Sequence, residues 1–274
     1  MSRQSATASK VSWQPRRVNQ SCVRPNEILP GDGKKLCLLK ERQIDPPPPG
    51  PWSTNIPANY ECPPNGLVLV SMRELTEAGT AVPTDLAGTY ALIAGWVRSF
   101  LMREHPDLGR SGDVCPFTGQ ALRLDTIRIG VCAAASSDFS GVKSTMRHAF
   151  GEFASIPCAR SMQHFRTIIV GFPNVNDAAG HAALKRVQAR LKLYSFVRGL
   201  MIGRFHPQSD DPGLWNPQFR PLRPPLPMLA IRHLVENDAP FALRHPLLLP
   251  AYLSRFRSAA PRLLRTTGRR PRQA

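Results

Sequence analysis

The segment 105–118 holds the densest group of reactive and shape-fixing residues in the chain: one histidine, one arginine, one cysteine, two glycines and two prolines. Arg110 lies between Gly109 and Gly112, so its guanidinium and the accessible backbone amides of this turn could hold a carboxylate or a phosphate. The alternative is that Arg110 ties the loop to a helix carbonyl. A connection of this composition indicates a site rather than a spacer.

Cys115 is the second chemical candidate in this segment. It precedes Pro116, Phe117 and a predicted helical turn at 118–122, and a thiol at a helix N-terminus gains acidity. This placement makes Cys115 a candidate nucleophile, with a partly buried loop cysteine as the alternative. The six cysteines form no CxxC pair, which argues against a thiolate zinc knuckle.

Three of the seven histidines stand at the ends of predicted elements, namely His105, His206 and His233. They could converge on one pocket, whereas a structural or surface role is the alternative for each. The sequence contains no HExxH pair, no Gly-x-Ser-x-Gly elbow and no glycine-rich dinucleotide or phosphate fingerprint. These observations argue against a zinc hydrolase, a Rossmann dehydrogenase and a P-loop enzyme.

The elements that must position these residues follow from apolar periodicity. A first helix, capped by Thr84, has one apolar face from Leu86 to Leu101 and ends at His105. Further helices are predicted at 140–154, 178–198 and 246–257, and strands at 126–133, 165–172, 199–206 and 226–234. The order predicts one α+β domain with a mixed, partly antiparallel sheet of about four strands and helices mainly on one face.

Composition divides the chain into three parts. Residues 1–71 predict a disordered, proline-rich arm, which could also be a mispredicted extension upstream of Met72; residues 72–257 predict the folded domain; residues 258–274 predict a disordered, arginine-rich tail. The net charge is +17, and residues 255–274 carry seven arginines and no acid. Such a tail could bind nucleic acid or an acidic partner, or it could simply be solvated. The sequence shows neither a secretory signal nor a membrane-spanning stretch, which predicts a soluble, cytoplasmic protein.

Two blocks resemble the signature of a bacterial family known as a domain of unknown function. The first is the run HPxLGRxGxVCPF at 105–117. The second joins FHP at 205–207, Asn216, the run PxPMLAIR at 225–232, Asp238 and Phe241. The resemblance covers residues 88–257 and implies that the domain accompanies small-molecule biosynthetic enzymes.

A fainter resemblance joins the Cys-Pro-Phe run at 115–117, with Ala121 after it, to the YqcI/YcgG family, which includes haem-dependent N-hydroxylases of guanidino amino acids. His-Pro-Gln-Ser at 206–209 and Asn-Pro at 216–217 match its later elements, whereas Gln218 stands where that family has a histidine. The resemblance implies a haem with His206 as its axial ligand, or His233 instead.

The favoured hypothesis is therefore a small-molecule tailoring enzyme, with haem as a possible cofactor. Arg110 or Arg232 would pair with a propionate or a substrate carboxylate, Cys115 would help to shape the pocket, and apolar walls would include Phe117. The ligand-binding residues predicted in this way are Arg110, Arg232, His105 and Phe117. The alternatives are an accessory domain that contacts an acidic partner or nucleic acid, and a thiol-dependent catalyst that uses Cys115.

Overall fold

The computed structural model describes residues 67–76, 82–135, 138–243 and 245–257. Most of the predicted N-terminal arm and all of the predicted arginine-rich tail lie outside the described residues. The predicted domain at 72–257 lies almost entirely within them.

The described residues form a five-stranded mixed sheet. Its strands are β1 (Val70–Ser71), β2 (Ile127–Val131), β3 (Thr167–Gly171), β4 (Leu200–Phe205) and β5 (Met228–His233). Their spatial order is β1-β2-β3-β5-β4, with β2 and β3 parallel and every other pair antiparallel. The α+β class and the mixed sheet are confirmed.

The fifth strand is β1, which lies in a segment that the sequence analysis placed in the N-terminal arm. Val70 pairs with Ile129, and Val70 and Met72 are buried against one face of the sheet. Leu67 packs into the core on the other face. A strand of two residues is too short to show the alternation of apolar and polar residues that marks a strand in a sequence. The composition therefore predicts only the arm at this position.

The α-helices of the described residues are α1 (Ala87–Trp96), α2 (Thr118–Arg123), α3 (Phe139–Glu152), α4 (Ala178–Val197), α5 (Ala239–Leu243) and α6 (Leu249–Arg255). A π-helical turn at Val97–Leu101 extends α1, as the long predicted first helix requires. Asp177 caps α4 by accepting a hydrogen bond of 2.7 Å from the backbone of Gly180, as its sequence position predicts. The predicted cap Thr84 is wrong, because α1 begins three residues later, after Leu86, without a side-chain cap.

Helices cover both faces of the sheet. The two longest, α3 and α4, pack on one face, which we call the α3 face, against strand residues such as Ile168, Ile202 and Ile231. The opposite face, the α1 face, packs α1 and α2 against Ile129 and Met228, among others. The expectation of helices mainly on one face therefore holds only for the longest two. Strands that are buried on both faces require this arrangement, and β2 and β3 are largely buried along their lengths.

The strand directions give the sheet two distinct ends. Because β2, β3 and β4 run the same way, their carboxyl ends meet at one end of the sheet, together with the start of β5. We call this the carboxyl end and the opposite one the amino end. The helix α4 begins at the carboxyl end, after β3, and returns the chain to the amino end, where Gly199 precedes β4. None of the described helices combines the length and the apolar character that a bilayer crossing requires.

Candidate functional site

Arg110 closes the 105–118 loop on itself. Its guanidinium donates hydrogen bonds to the carbonyl oxygens of Ser111, Asp113 and Val114 at 2.9, 2.7 and 3.1 Å. The backbone N–H of Val114 in turn donates to the carbonyl of Arg103 at 2.9 Å, which fixes the loop to the end of the first helix. The Arg110 side chain thus binds backbone carbonyls, which was the alternative to an anion site. The carbonyls belong to the loop itself rather than to a helix.

His105 joins this loop to the proline-rich connection at 207–225. Its ring lies 4.6 Å from the ring of Phe219 and 6.1 Å from that of Phe100. Its Nδ1 accepts a hydrogen bond of 3.1 Å from the backbone of Asp107, whose carbonyl accepts a bond of 2.8 Å from the Asn216 amide. His105 therefore sits in an aromatic contact between two loops.

Cys115 and Phe117 lie at the amino end of the sheet, near Arg232. Cys115 is partly exposed, and its backbone N–H donates to the carbonyl of Leu101 at 2.9 Å. Its thiol is close enough to Arg232 to affect the pKa of that guanidinium. Phe117 contacts Phe165, with ring centroids 6.3 Å apart. The fold thus brings together Cys115 and Arg232, two predicted site residues from distant parts of the sequence.

Arg232 forms an ion pair with a buried carboxylate. Its two terminal nitrogens donate to the oxygens of Asp238 at 2.7 and 2.6 Å, and one of them also donates to the carbonyl of His233 at 2.9 Å. Burial lowers the pKa of Arg232, but the hydrogen bonds and the charge of Asp238 outweigh it and raise the pKa above its usual value. Asp238 also accepts a bond of 2.9 Å from the backbone of Val235. The Arg232 guanidinium is thus engaged in holding the end of β5 to the start of α5.

A different arrangement surrounds His206, at the carboxyl end. Its ring lies 4.9 Å from that of His181, which belongs to the first turns of α4. Burial lowers the pKa of His206, and so do the positive charges of Arg204 and His181. The lowered pKa favours the neutral form of the His206 imidazole. We call His181, Arg204 and His206 the histidine–arginine cluster.

Each member of this cluster buries a nitrogen atom that has no hydrogen-bond partner in the described part of the chain. These atoms are the Nε2 of His181, the Nε of Arg204 and the Nδ1 of His206. The nearest described carboxylate is Asp211, whose Oδ2 lies 4.0 Å from the Nη2 of Arg204. A buried polar atom without a partner costs about 1–3 kcal/mol, so three in one place require an explanation.

The loop after β4 holds His206 in place. The His206 backbone N–H donates to the carbonyl of Leu222 at 3.2 Å, and its carbonyl accepts a bond of 3.0 Å from the backbone of Ser209. Arg223 clamps the same turn by donating from its Nε to the Ser209 carbonyl at 2.8 Å, and it pairs with Asp210 at 3.1 Å. The imidazole is thus presented by a loop that main-chain bonds fix on both sides.

The three predicted histidines do not converge. Phe205 pairs with Met228 and Leu200 with His233, so His206 and His233 lie at opposite ends of the β4–β5 ladder. Six residues of strand separate them, which corresponds to about 20 Å. Arg232 is likewise at the amino end, and Arg110 is engaged in its own loop. These residues do not assemble around His206 as the haem expectation requires.

Two members of the cluster, His181 and Arg204, were not singled out from the sequence. A signal was available for Arg204, because the strand predicted at 199–206 places it two residues before His206 and therefore on the same face. His181 carries a weaker one, four residues after the helix cap Asp177. Over the described ranges, no group of three or more histidine, cysteine or acidic residues has an arrangement that could hold a metal ion.

The fold and this site define a helix-covered mixed α+β sheet with the partly buried histidine–arginine cluster at its carboxyl end. The chain belongs to the family described as Domain of unknown function (DUF6875), whose model matches residues 90–267. Membership in such a family, expected from the sequence blocks, is confirmed. No curated protein and no solved structure matches the chain.

Proposed function

We propose that the domain binds a small molecule with an anionic group at the histidine–arginine cluster, as part of a small-molecule tailoring reaction. The observation that carries this proposal is the set of three buried nitrogens without partners in His181, Arg204 and His206. Two neighbouring imidazoles and a guanidinium are suited to a carboxylate or a phosphate with an adjacent polar group.

The protonation state of His206 suits proton transfer as well as binding. A neutral imidazole has one nitrogen that donates and one that accepts, so it can take a proton from a bound hydroxyl or amine. Arg204 stays charged and would balance the anionic group of the ligand. His181 lies against His206 and would orient its ring or contact the same ligand.

Haem enters this proposal only as an expectation from the family resemblance. A haem ligated by His206 would need a free cationic partner for its propionates, and the guanidinium groups of both predicted arginines are already engaged within the fold. Arg232 is paired with Asp238, and Arg110 bonds to the carbonyls of its own loop. The predicted residues do not fit the group, and no step of the proposed chemistry passes through it.

A ligand screen on the full chain tests the proposal. Thermal-shift measurements with a panel of amino acids, organic acids and sugar phosphates identify a binder, and calorimetry then gives its dissociation constant. We expect His206→Gln and Arg204→Gln each to weaken binding at least tenfold, because each removes a charge-assisted or buried hydrogen bond. His245→Gln, at an exposed histidine far along the chain, is the matched control and should leave the affinity unchanged. A binder whose affinity is unaffected by both cluster variants would place the site elsewhere.

A haemin titration separates the haem expectation from this proposal. The absorbance spectrum of the full chain is followed with increasing haemin, for the wild type and for His206→Ala. We expect no saturable Soret band that depends on His206. A saturable band that disappears in His206→Ala would assign haem to this position and would contradict our proposal of a directly bound anionic substrate.

A further inference from the structure

A second group of basic side chains lies at the amino end of the sheet, away from the histidine–arginine cluster. We call His164, Arg166, His233 and Arg255 the basic cluster. His164 and Arg166 come from the 3-10 turn at Arg160–Phe165 and the residue after it, His233 ends β5, and Arg255 ends α6. Three separate chain segments therefore bring basic side chains to one place.

Strand register places two of these residues side by side. Thr167 pairs with Arg232 in the antiparallel β3–β5 ladder, so the next positions outward, Arg166 and His233, face each other on the α3 face. The His233 ring also packs against Phe153 of that face, with centroids 5.1 Å apart. The register thus places the charged Arg166 guanidinium directly beside the His233 imidazole, which disfavours protonation of that imidazole.

Arg255 covers the same corner by lying over Gly199. A Cβ on Gly199 would overlap the Cζ and Nε of Arg255, so the guanidinium occupies the space that any other side chain would fill. Gly199 has a φ of +71°, and its carbonyl accepts a bond of 2.8 Å from the backbone of Leu234, beside His233. Glycine at this turn thus lets α6 bring its last arginine onto the end of β5.

The basic cluster has no compensating acid among the described residues. None of its four side chains forms an ion pair or a hydrogen bond with a described carboxylate, and the Nε of Arg166 and the Nε2 of His233 are buried without partners. Burial lowers the pKa of His233 to about 4, and the charges of Arg166, Arg255 and His164 add to the effect. These are the basic groups that act on the His233 imidazole.

We infer that the basic cluster binds the phosphate group of an anionic ligand, at a site separate from that of the proposed function. Arg166 would donate from its buried Nε, and His233 would donate from its buried Nε2 in the protonated form, which a bound anion favours. Arg255 and His164, which are exposed, would contact the phosphate from the solvent side. The ligand would be either a free phosphorylated small molecule or a nucleic acid, since five more arginines follow in the sequence at 262, 265, 269, 270 and 272.

Histidine NMR on the full chain tests this inference directly. The Cε1–H signals of the seven histidines are titrated with pH in sodium chloride and in sodium phosphate at equal ionic strength. We expect phosphate to raise the pKa of His233 by at least one pH unit, because a bound anion offsets the surrounding positive charges. The exposed His245 should titrate alike in both salts. The inference would be overturned if His233 titrates identically in both salts and also shows no response to the oligonucleotide described below.

A matched pair of arginine variants assigns the binding to the cluster. Arg166→Gln should weaken phosphate binding at least tenfold, measured from the same His233 NMR signal. Arg147→Gln removes the same charge from an exposed position on α3 and should leave the affinity unchanged. Equal weakening in both variants would show non-specific attraction to a basic protein and would overturn the assignment.

The source of the phosphate is decided by repeating the titration with a ten-nucleotide single strand of thymidine. A response of His233 to the oligonucleotide at concentrations at least a hundredfold below those of inorganic phosphate would identify a nucleic acid as the ligand. Comparable concentrations would identify a small phosphorylated molecule, and no response to either probe would refute the site. The His206 signals report on the other cluster, so failure of this inference leaves the proposed function standing.

Discussion

Removal of the Asp238 carboxylate should destabilise the domain strongly. The Asp238 side chain is only 3% exposed and accepts two hydrogen bonds from Arg232 and one from the backbone of Val235. In Asp238→Ala the arginine keeps its charge in a partly buried position, and the Val235 N–H loses its partner. The loss of one member of a buried ion pair costs about 3–5 kcal/mol, because the remaining charge has no compensation.

The magnitude for this pair lies at the lower end of that range. The Arg232 side chain is 34% exposed, so water can solvate part of the guanidinium once its partner is gone. We therefore expect Asp238→Ala to lower the free energy of unfolding by about 3 kcal/mol. With a urea m-value of about 2 kcal/mol/M, the unfolding midpoint should fall by about 1.5 M.

Urea unfolding followed by circular dichroism measures this loss, and a double variant tests its cause. Arg232→Met together with Asp238→Leu removes both charges, so it should regain at least about half of the loss, since replacing a buried pair by apolar residues is often neutral. A loss of less than about 1 kcal/mol in Asp238→Ala would refute the reasoning, because the carboxylate would then have no stabilising role.

Three further predictions concern the loops and the amino end of the sheet. Arg110→Ala removes three bonds to carbonyls and should lower the free energy of unfolding by about 1.5–3 kcal/mol, measured by urea unfolding, whereas an unchanged midpoint would contradict the clasp. Gly109→Ala should lower the free energy of unfolding by about 1–2 kcal/mol, because Gly109 has a φ of +76° and a Cβ there would lie 3.2 Å from the Trp215 backbone. The control is Gly95→Ala, which has open space around its Cβ and should not lower the stability. The melting temperature should fall as the pH drops from about 6.5 towards 4, since unfolded His233 takes up a proton that the folded state, with a pKa of about 4, excludes. His233→Gln should reduce this fall, and an equal fall in the variant would show that other groups cause it.

The helices and longer strands could be predicted from the sequence because their apolar patterns are long and locally consistent. The helix α4 is one example, since Leu184, Val187 and Leu191 recur at helical spacing and are buried together in the core. The two-residue strand β1 could not, because its pairing depends on β2, more than fifty residues away in the sequence. The location of α1 on the second face also depends on tertiary packing, which the order of elements does not specify.

The site could be predicted only in part, for a related reason. Sequence reasoning selected the residues that stand at element ends, and His206 and His233 are indeed there, but it could not show which ends meet. The strand order places those two histidines at opposite ends of the sheet. His181 in α4 and Arg166 just before β3 come close to these histidines only through tertiary packing, which the local sequence does not specify.

The arginines of this basic chain have two different roles. Arg110 and Arg232 belong to the recognisable sequence blocks, and both use their guanidinium groups within the fold, on loop carbonyls and on Asp238. Arg204 and Arg166 lie beside buried histidines and keep nitrogen atoms without partners. Replacement of an arginine that maintains the fold should lower the stability of the domain. Replacement of an arginine that binds an anion should instead lower the affinity for that anion, and it should raise stability where it relieves repulsion between charges. Unfolding midpoints and binding constants should be measured for Arg110→Gln, Arg232→Gln, Arg204→Gln and Arg166→Gln. They distinguish the arginines that maintain the fold from those that bind a ligand.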